Sequence, residues 1–353
     1  MSENKPLLLL APGDRIGNYS IRALIGRGKN TAVYRAYHPE QKREVALKIL
    51  RSAAPQTPEV IAKFNEEVQA ITTLKHPNIM RVFDHGVQAG AYYLIMELVE
   101  GTNLRDAIST HPTGLDPEET VRIFGQLASA VATAHDHGVV HGNIKPDNVL
   151  LDKTQRPVLT DFSLVCLGAT VSREEGSGMA TYLSPEQITQ GTATAPADIY
   201  ALGVLLYEIL TGVVPFKGDT FEEVTTQHQN MPPVPPSQIR VNVDPRVDQV
   251  ILKALSKKSD ERFTSARDML TAMKSEDVRS RYETVNLTRD SVQVQKSRAE
   301  IASFQRARAT ETKPETKTDP VKPLANPVES QYVWIIVAVI VVMILSVLIA
   351  LIL

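Results

Sequence analysis

His141–Leu151 reads HGNIKPDNVLL, and ten residues further on the chain reads Asp161-Phe162-Ser163. The first stretch sits behind a helical pattern. Val121, Phe124, Ala128 and Val131 repeat at helical spacing up to His135. Asp116-Pro117-Glu118-Glu119 in front of them resembles a capping box with proline at the first helical position. A helix therefore delivers the chain to His141. Further upstream, Val45-Ala46-Leu47-Lys48-Ile49 reads as a strand from its β-branched residues and alternation, and period two places Ala46 and Lys48 on one face. Before it, Tyr19–Ile25 reads as a strand, Gly26-Arg27-Gly28-Lys29-Asn30-Thr31 as a loop and Ala32-Val33-Tyr34 as a resumed strand. Glycines in such a loop let the backbone approach phosphates closely, although an ordinary hairpin turn uses the same residues. Thr57-Pro58 predicts a helix to about Leu74, ended by His76-Pro77, with Phe64, Val68 and Ile71 as its apolar stripe and Glu67 beside it. Tyr93–Val99 (YLIMELV) reads as a buried strand.

In this order the segments resemble the protein kinase family. Its catalytic loop is spelled HRDLKPxN, its metal-binding triplet DFG and its Gly-rich loop GxGxxGxV. Further landmarks agree: HPNI at His76–Ile79, Tyr182-Leu183-Ser184-Pro185-Glu186 at the APE site, the apolar helix from Asp198 to Gly212, Pro215-Phe216, Pro232–Pro236 and Glu261-Arg262-Phe263. The resemblance covers about Tyr19 to Met273 and is closest to the bacterial, Hanks-type Ser/Thr kinases related to eukaryotic ones, such as the membrane-anchored regulators of cell-wall growth.

The resemblance implies an α+β, two-lobed kinase fold with a small β-rich N-lobe and a larger helical C-lobe, using ATP and Mg²⁺ and acting on or through protein partners. It also implies roles. Gly26 and Gly28 would face the phosphates; Val33 and Ala46 above and Leu150 below would line the adenine slot. Met96 takes the gatekeeper position, and backbone groups of Glu97 and Val99 would hydrogen-bond the adenine. Lys48, held by Glu67, would reach the α- and β-phosphates, and Lys145 the γ-phosphate. Asp161 and Asn148 would hold the metal ions. Arg262 would pair with Glu186, and His141 and Phe162 would link the lobes.

Four positions depart from the pattern. Asn143 stands where the family has its catalytic aspartate, Gly142 replaces the preceding arginine, Ser163 the triplet glycine, and Met179 a threonine that touches the catalytic centre. An asparagine can hydrogen-bond a hydroxyl but cannot take its proton at neutral pH. Asp147 is no replacement, because that slot often carries an acidic residue and points elsewhere. Three function classes stay open: a pseudokinase that binds ATP and recruits partners, a weakly active Ser/Thr kinase, and a scaffold whose Thr310, Thr312, Thr316 and Thr318 are phosphorylated and read by a phosphothreonine-binding domain.

The 353 residues allow one large domain or two ordinary ones plus extras, and 43% hydrophobic with 22% charged residues is normal for a globular protein. A net charge of -2 argues against nucleic-acid binding. The single cysteine, Cys166, rules out an internal disulfide framework and suits a reducing compartment. The expected organisation is a leader over 1–18, the kinase-like domain over 19–273, a charged Thr/Pro-containing linker over 274–331 and a transmembrane helix over 332–353. Val333–Leu353 is apolar except for Ser346, and such a run extends about 31 Å as a helix, the thickness of a hydrocarbon core. Tyr332 and Trp334 fit an interfacial belt, and Lys313, Lys317 and Lys322 favour a cytosolic kinase domain under a single-pass anchor in a bacterial inner membrane. Because Leu353 is the last residue, no outer sensor domain is expected.

Overall fold

In a computed structural model the described residues are 9–274 apart from 29, 53–55, 89, 168–176 and 242. The linker and the apolar run Val333–Leu353 lie outside them. Among the described residues no helix is long and apolar enough to cross a membrane.

The N-terminal part is a six-stranded antiparallel sheet. Its strands are β1 (Arg15–Ile16), β2 (Tyr19–Arg27), β3 (Thr31–His38), β4 (Arg43–Leu50), β5 (Val82–Gln88) and β6 (Ala91–Met96), in the order β1-β2-β3-β4-β6-β5. β3 shows the simplest pattern: Ala32, Tyr34, Ala36 and His38 are buried, while the residues between them are half-buried. Ala32, Tyr34 and Ala36 pack with Ile16, Ile21, Val45, Leu47, Ile49 and Ile95 into one apolar layer. The other face is covered by α1 (Pro58–Thr72), whose Phe64, Val68 and Ile71 meet Leu50, Tyr92 and Leu94. Thr57 caps that helix by accepting the Val60 N–H at 3.4 Å, with Pro58 in its first turn. Covered on both sides, β4 is buried from Val45 to Leu50.

The expected Gly-rich loop is shorter than its sequence suggests. β2 and β3 stay paired through Gly26↔Val33 and Arg27↔Ala32, beyond the strand ends that the sequence suggests. β1 has no counterpart in the sequence pattern, and β6 ends at Met96, short of the Val99 that the sequence predicts, leaving Glu97–Glu100 without strand pairing.

A small sheet, β7 (Gly101–Asn103), β8 (Val149–Asp152) and β9 (Pro157–Leu159), lies beneath the cleft. At Gly101 a β-carbon would come within 1.8 Å of the Leu151 carbonyl oxygen, so only glycine permits this pairing. α2 (Leu104–Ser109) and α3 (Pro117–Asp136) follow β7. Asp116 caps α3 by accepting the Glu118 N–H at 2.9 Å. The remaining helices are α4 (Ser177–Ala180), α5 (Pro185–Gln190), α6 (Ala195–Thr211), α7 (Phe221–Asn230), α8 (Pro236–Ile239), α9 (Pro245–Ala254) and α10 (Ala266–Lys274). α6 is buried from Ala197 to Thr211 and ends at Gly212 in the left-handed region. It is the axis of the helical part. Its two buried acids, Asp198 and Glu208, serve the site.

Candidate active site

The cleft is built first by strand register. Val33 lies opposite Lys48, and Ala46 opposite Met96. Directly paired residues share a face of the sheet. Val33, Ala46, Met96, Val99 and Leu150 consequently belong to one apolar cluster, so the residues expected around an adenine ring are brought together. Gly26 lies in the last turn-ward pairs of β2, and Gly28 closes the turn by donating its N–H to Thr31 O at 2.9 Å. Glu97 donates its N–H to Arg81 O at 2.9 Å.

Lys48 crosses this slot and pairs with Asp161 at 2.7 Å. Asp161 has a left-handed backbone, φ 65°, and its Oδ1 also accepts from Thr160 Oγ1 at 3.2 Å. Burial pushes the Asp161 carboxyl up, but the charge and hydrogen bond of Lys48, with the Thr160 hydrogen bond and His141, together outweigh it and hold the group below the ordinary carboxylate range. The expected partner of Lys48 is elsewhere. Glu67 accepts the Cys166 backbone N–H on both oxygens, at 3.2 and 3.3 Å. Cys166 sits in a 3₁₀ turn, Val165–Leu167, which is anchored under α1 by the buried Leu164 and Leu167. With its carboxylate taken by that turn, Glu67 does not hold Lys48. Burial and the Glu67 hydrogen bond also push the Cys166 thiol up to about 12, which keeps it protonated.

The loop from His141 is held from α6. Asp198 Oδ2 accepts the His141 N–H and a bond from His135 Nε2, and Oδ1 accepts the Gly142 N–H, each at 2.8 Å. A buried carboxylate that accepts three such bonds is well satisfied. His141 Nδ1 accepts the Asn143 N–H at 3.2 Å, so its proton is on Nε2, which faces Thr160 O at 3.0 Å. Burial keeps this imidazole neutral by lowering its pKa, and its ring lies 4.4 Å from that of Phe162. Asn148 Nδ2 donates to Asn143 O at 2.7 Å, which reserves Oδ1 as its metal-competent atom.

Asn143 itself is exposed and Lys145 half-buried at the mouth. Asp147 does point away, to Arg105 at 3.3 Å. Arg105 also meets Glu208 at 2.5 Å and Tyr182 Oη at 2.6 Å, and Tyr182 donates to Glu208, tying α2, the loop and α6 together. Arg262 grips Glu186 with two bonds, 2.6 and 2.8 Å, as expected. Met179 lies on α4, and its side chain is outside the described residues.

Sequence reading missed the anchoring by Asp198 and His135, and by Gln187, whose Nε2 donates to Gly142 O at 3.3 Å. Only an acid at the start of an otherwise apolar helix hinted at it. The donor set suits Mg²⁺. It offers one carboxylate and one amide oxygen, hard ligands for an ion that takes its remaining ligands from phosphate and water. Among the described residues no cluster of three His, Cys, Asp or Glu side chains offers a competing site.

The family profile described as "Protein kinase domain" matches residues 19–287. The chain is 38% identical over 267 residues to the serine/threonine-protein kinase PrkC of Bacillus subtilis, covering 74% of this chain and 41% of that protein. It is 36% identical over 260 residues to the serine/threonine-protein kinase PknB of Mycolicibacterium smegmatis, covering 71% and 41%. It thus spans about two fifths of the length of these curated relatives. The crystal structure of the Mycobacterium tuberculosis PknI kinase domain superposes with a TM-score of 0.62 at 27% identity, covering 75% of this chain and 98% of that one. The same fold thus recurs across three quarters of the chain, which belongs to the protein kinase family, in its bacterial Hanks-type Ser/Thr branch.

Proposed function

We propose that the chain binds ATP with Mg²⁺ and transfers the γ-phosphoryl group to protein Ser or Thr residues slowly, as a weakly active kinase. The observation that carries this is the Lys48–Asp161 pair at 2.7 Å inside the apolar slot, with Asn148 on the loop below. Support comes also from relatives that are Ser/Thr kinases. Asp161 and Asn148 would hold the metal, Lys48 the α- and β-phosphates and Lys145 the γ-phosphate. Mg²⁺, when bound, neutralises charge on the phosphate oxygens. Asn143 can orient a substrate hydroxyl through its amide oxygen but leaves the proton without a carboxylate to receive it. General-base contributions are about 10²–10⁴-fold, or roughly 3–5 kcal/mol on the barrier.

Labelled ATP with purified protein and a Ser/Thr substrate tests this. The expected outcome is slow, metal-dependent transfer that Lys48→Ala abolishes. ATP binding with no transfer at all would leave the second reading, a pseudokinase that recruits protein partners, which Asn143 at the base position favours. No ATP binding would leave the scaffold with a phosphorylated linker.

Anchoring belongs to the same proposal. Val333–Leu353 would hold the kinase domain at a membrane, on the cytosolic side, as its uninterrupted apolar sequence and the lysines before it suggest. Removal of residues 332–353 should release the protein from membranes; continued sedimentation with them after high salt would show a different attachment.

A further inference from the structure

Gly142 and Ser163 occupy positions where the family carries arginine and glycine. In this fold the two face each other. Gly142 has φ 72°, a left-handed conformation that strains any other L residue. Its backbone cannot turn to relieve that strain, because the N–H is held by Asp198 Oδ1 at 2.8 Å and the carbonyl accepts from Gln187 Nε2 at 3.3 Å. A β-carbon placed on Gly142 would lie 3.1 Å from Ser163 Cβ and 2.8 Å from Ala193 Cβ. The two neighbours differ in freedom. Ala193 belongs to the irregular connection between α5 and α6, whereas Ser163 is stitched to the loop by its own N–H, which donates to His141 O at 2.8 Å.

We infer that Gly142 and Ser163 are one compensated exchange: Ser163 Cβ occupies space that a side chain at 142 would need, so Ser163 is a positioning residue that adds to the demand for glycine already set there by the backbone and by Ala193 Cβ. The glycine of the pair has moved from the triplet to the loop. An arginine at position 142 gains room when Ser163 gives up its β-carbon. The inference concerns packing and stands whether or not the protein transfers phosphate.

The test is a set of melting curves on the full chain. Gly138→Ala measures backbone strain alone, since Gly138 has φ 71° and a β-carbon there meets no non-neighbouring atom within 4 Å. Gly142→Ala should lower the midpoint by at least ~3 °C more than Gly138→Ala, the shift expected for about 1 kcal/mol in a domain of this size. With Ser163→Gly that excess should fall by half or more. With Ser163→Ala, which keeps the β-carbon and loses the hydroxyl, it should persist. Gly142→Arg should lower the midpoint less in the Ser163→Gly background than in the unmodified protein. An equal excess in all three backgrounds would overturn the inference, as would no excess in any. Failure of Gly142→Ala to fold even with Ser163→Gly would overturn it too, by making Ala193 the obstacle.

Discussion

Asn143 differs from aspartate by an NH₂ in place of an oxygen, and that substitution removes the atom able to accept a proton beside the substrate hydroxyl. Asn143→Asp should raise Ser/Thr transfer, by at most about 10²–10⁴-fold and by less if the neighbouring exchange also disturbs substrate placement. ATP affinity should be unchanged across the pair, since the side chain is exposed at the mouth and the slot is lined by other residues. Initial rates with labelled ATP decide it; turnover of about 1–100 per second in the unmodified protein would show that the amide suffices. Cys166 gives a second test at this scale. Its thiol is held protonated by burial and by Glu67, and it is the chain's one cysteine. Glu67→Ala should therefore speed thiol labelling at pH 8 by roughly tenfold or more. An unchanged labelling rate would mean that Glu67 does not hold the turn.

Between elements, two contacts carry most of the arrangement. The Val165–Leu167 turn sits under α1 and takes Glu67, which leaves Lys48 to Asp161. The second contact joins α5 to the segment before α10 through Glu186 and Arg262, whose side chain is fully buried. Arg262 also donates to the carbonyls of Pro196, Ser256 and Lys257, so it cannot move away when its acid is lost. Glu186→Ala should destabilise the fold by about 3–5 kcal/mol, the cost of leaving a buried charge unpaired. Urea unfolding measures it; a loss below about 1 kcal/mol would place the pair among ordinary surface bridges.

For the whole molecule, ligand and pH are the levers. ATP with Mg²⁺ at about 100 times its dissociation constant should stabilise the protein by roughly 2.7 kcal/mol, and a melting midpoint indifferent to millimolar nucleotide would remove the nucleotide reading. Acid should do the opposite. His228 is buried against Phe216 and Tyr200, and burial lowers its pKa from 6.5 to about 3. The unfolded chain then binds a proton at a pH where the folded one does not. That stability is complete above pH 6.5 and is lost progressively down to about pH 3. The depressed carboxyls of Asp161 and Glu186 add losses in the same direction once the pH falls below their ordinary values of 3.8 and 4.5. Urea midpoints from pH 7.5 to 5 should fall, with a shallower slope in His228→Gln. Equal slopes in the two proteins would assign the acid sensitivity to other groups.

The fold was legible because its signals are local. Period-two strands, the Thr57-Pro58 cap, the Pro117 helix start and Gly212 at the end of α6 each depend on residues within a few positions of one another. The landmark residues in order then gave the slot, since strand register fixes Val33 opposite Lys48 and Ala46 opposite Met96. What the sequence could not decide are choices among partners far apart in the chain. Lys48 had two carboxylates to choose from, Glu67 and Asp161, and only the seating of Leu164 and Leu167 under α1 determines which it meets. Asp198 reads as one acid in an apolar helix until the loop is laid across its oxygens. Gly142 and Ser163 read as two separate departures, twenty-one residues apart, until packing puts their β-carbon positions 3.1 Å from each other.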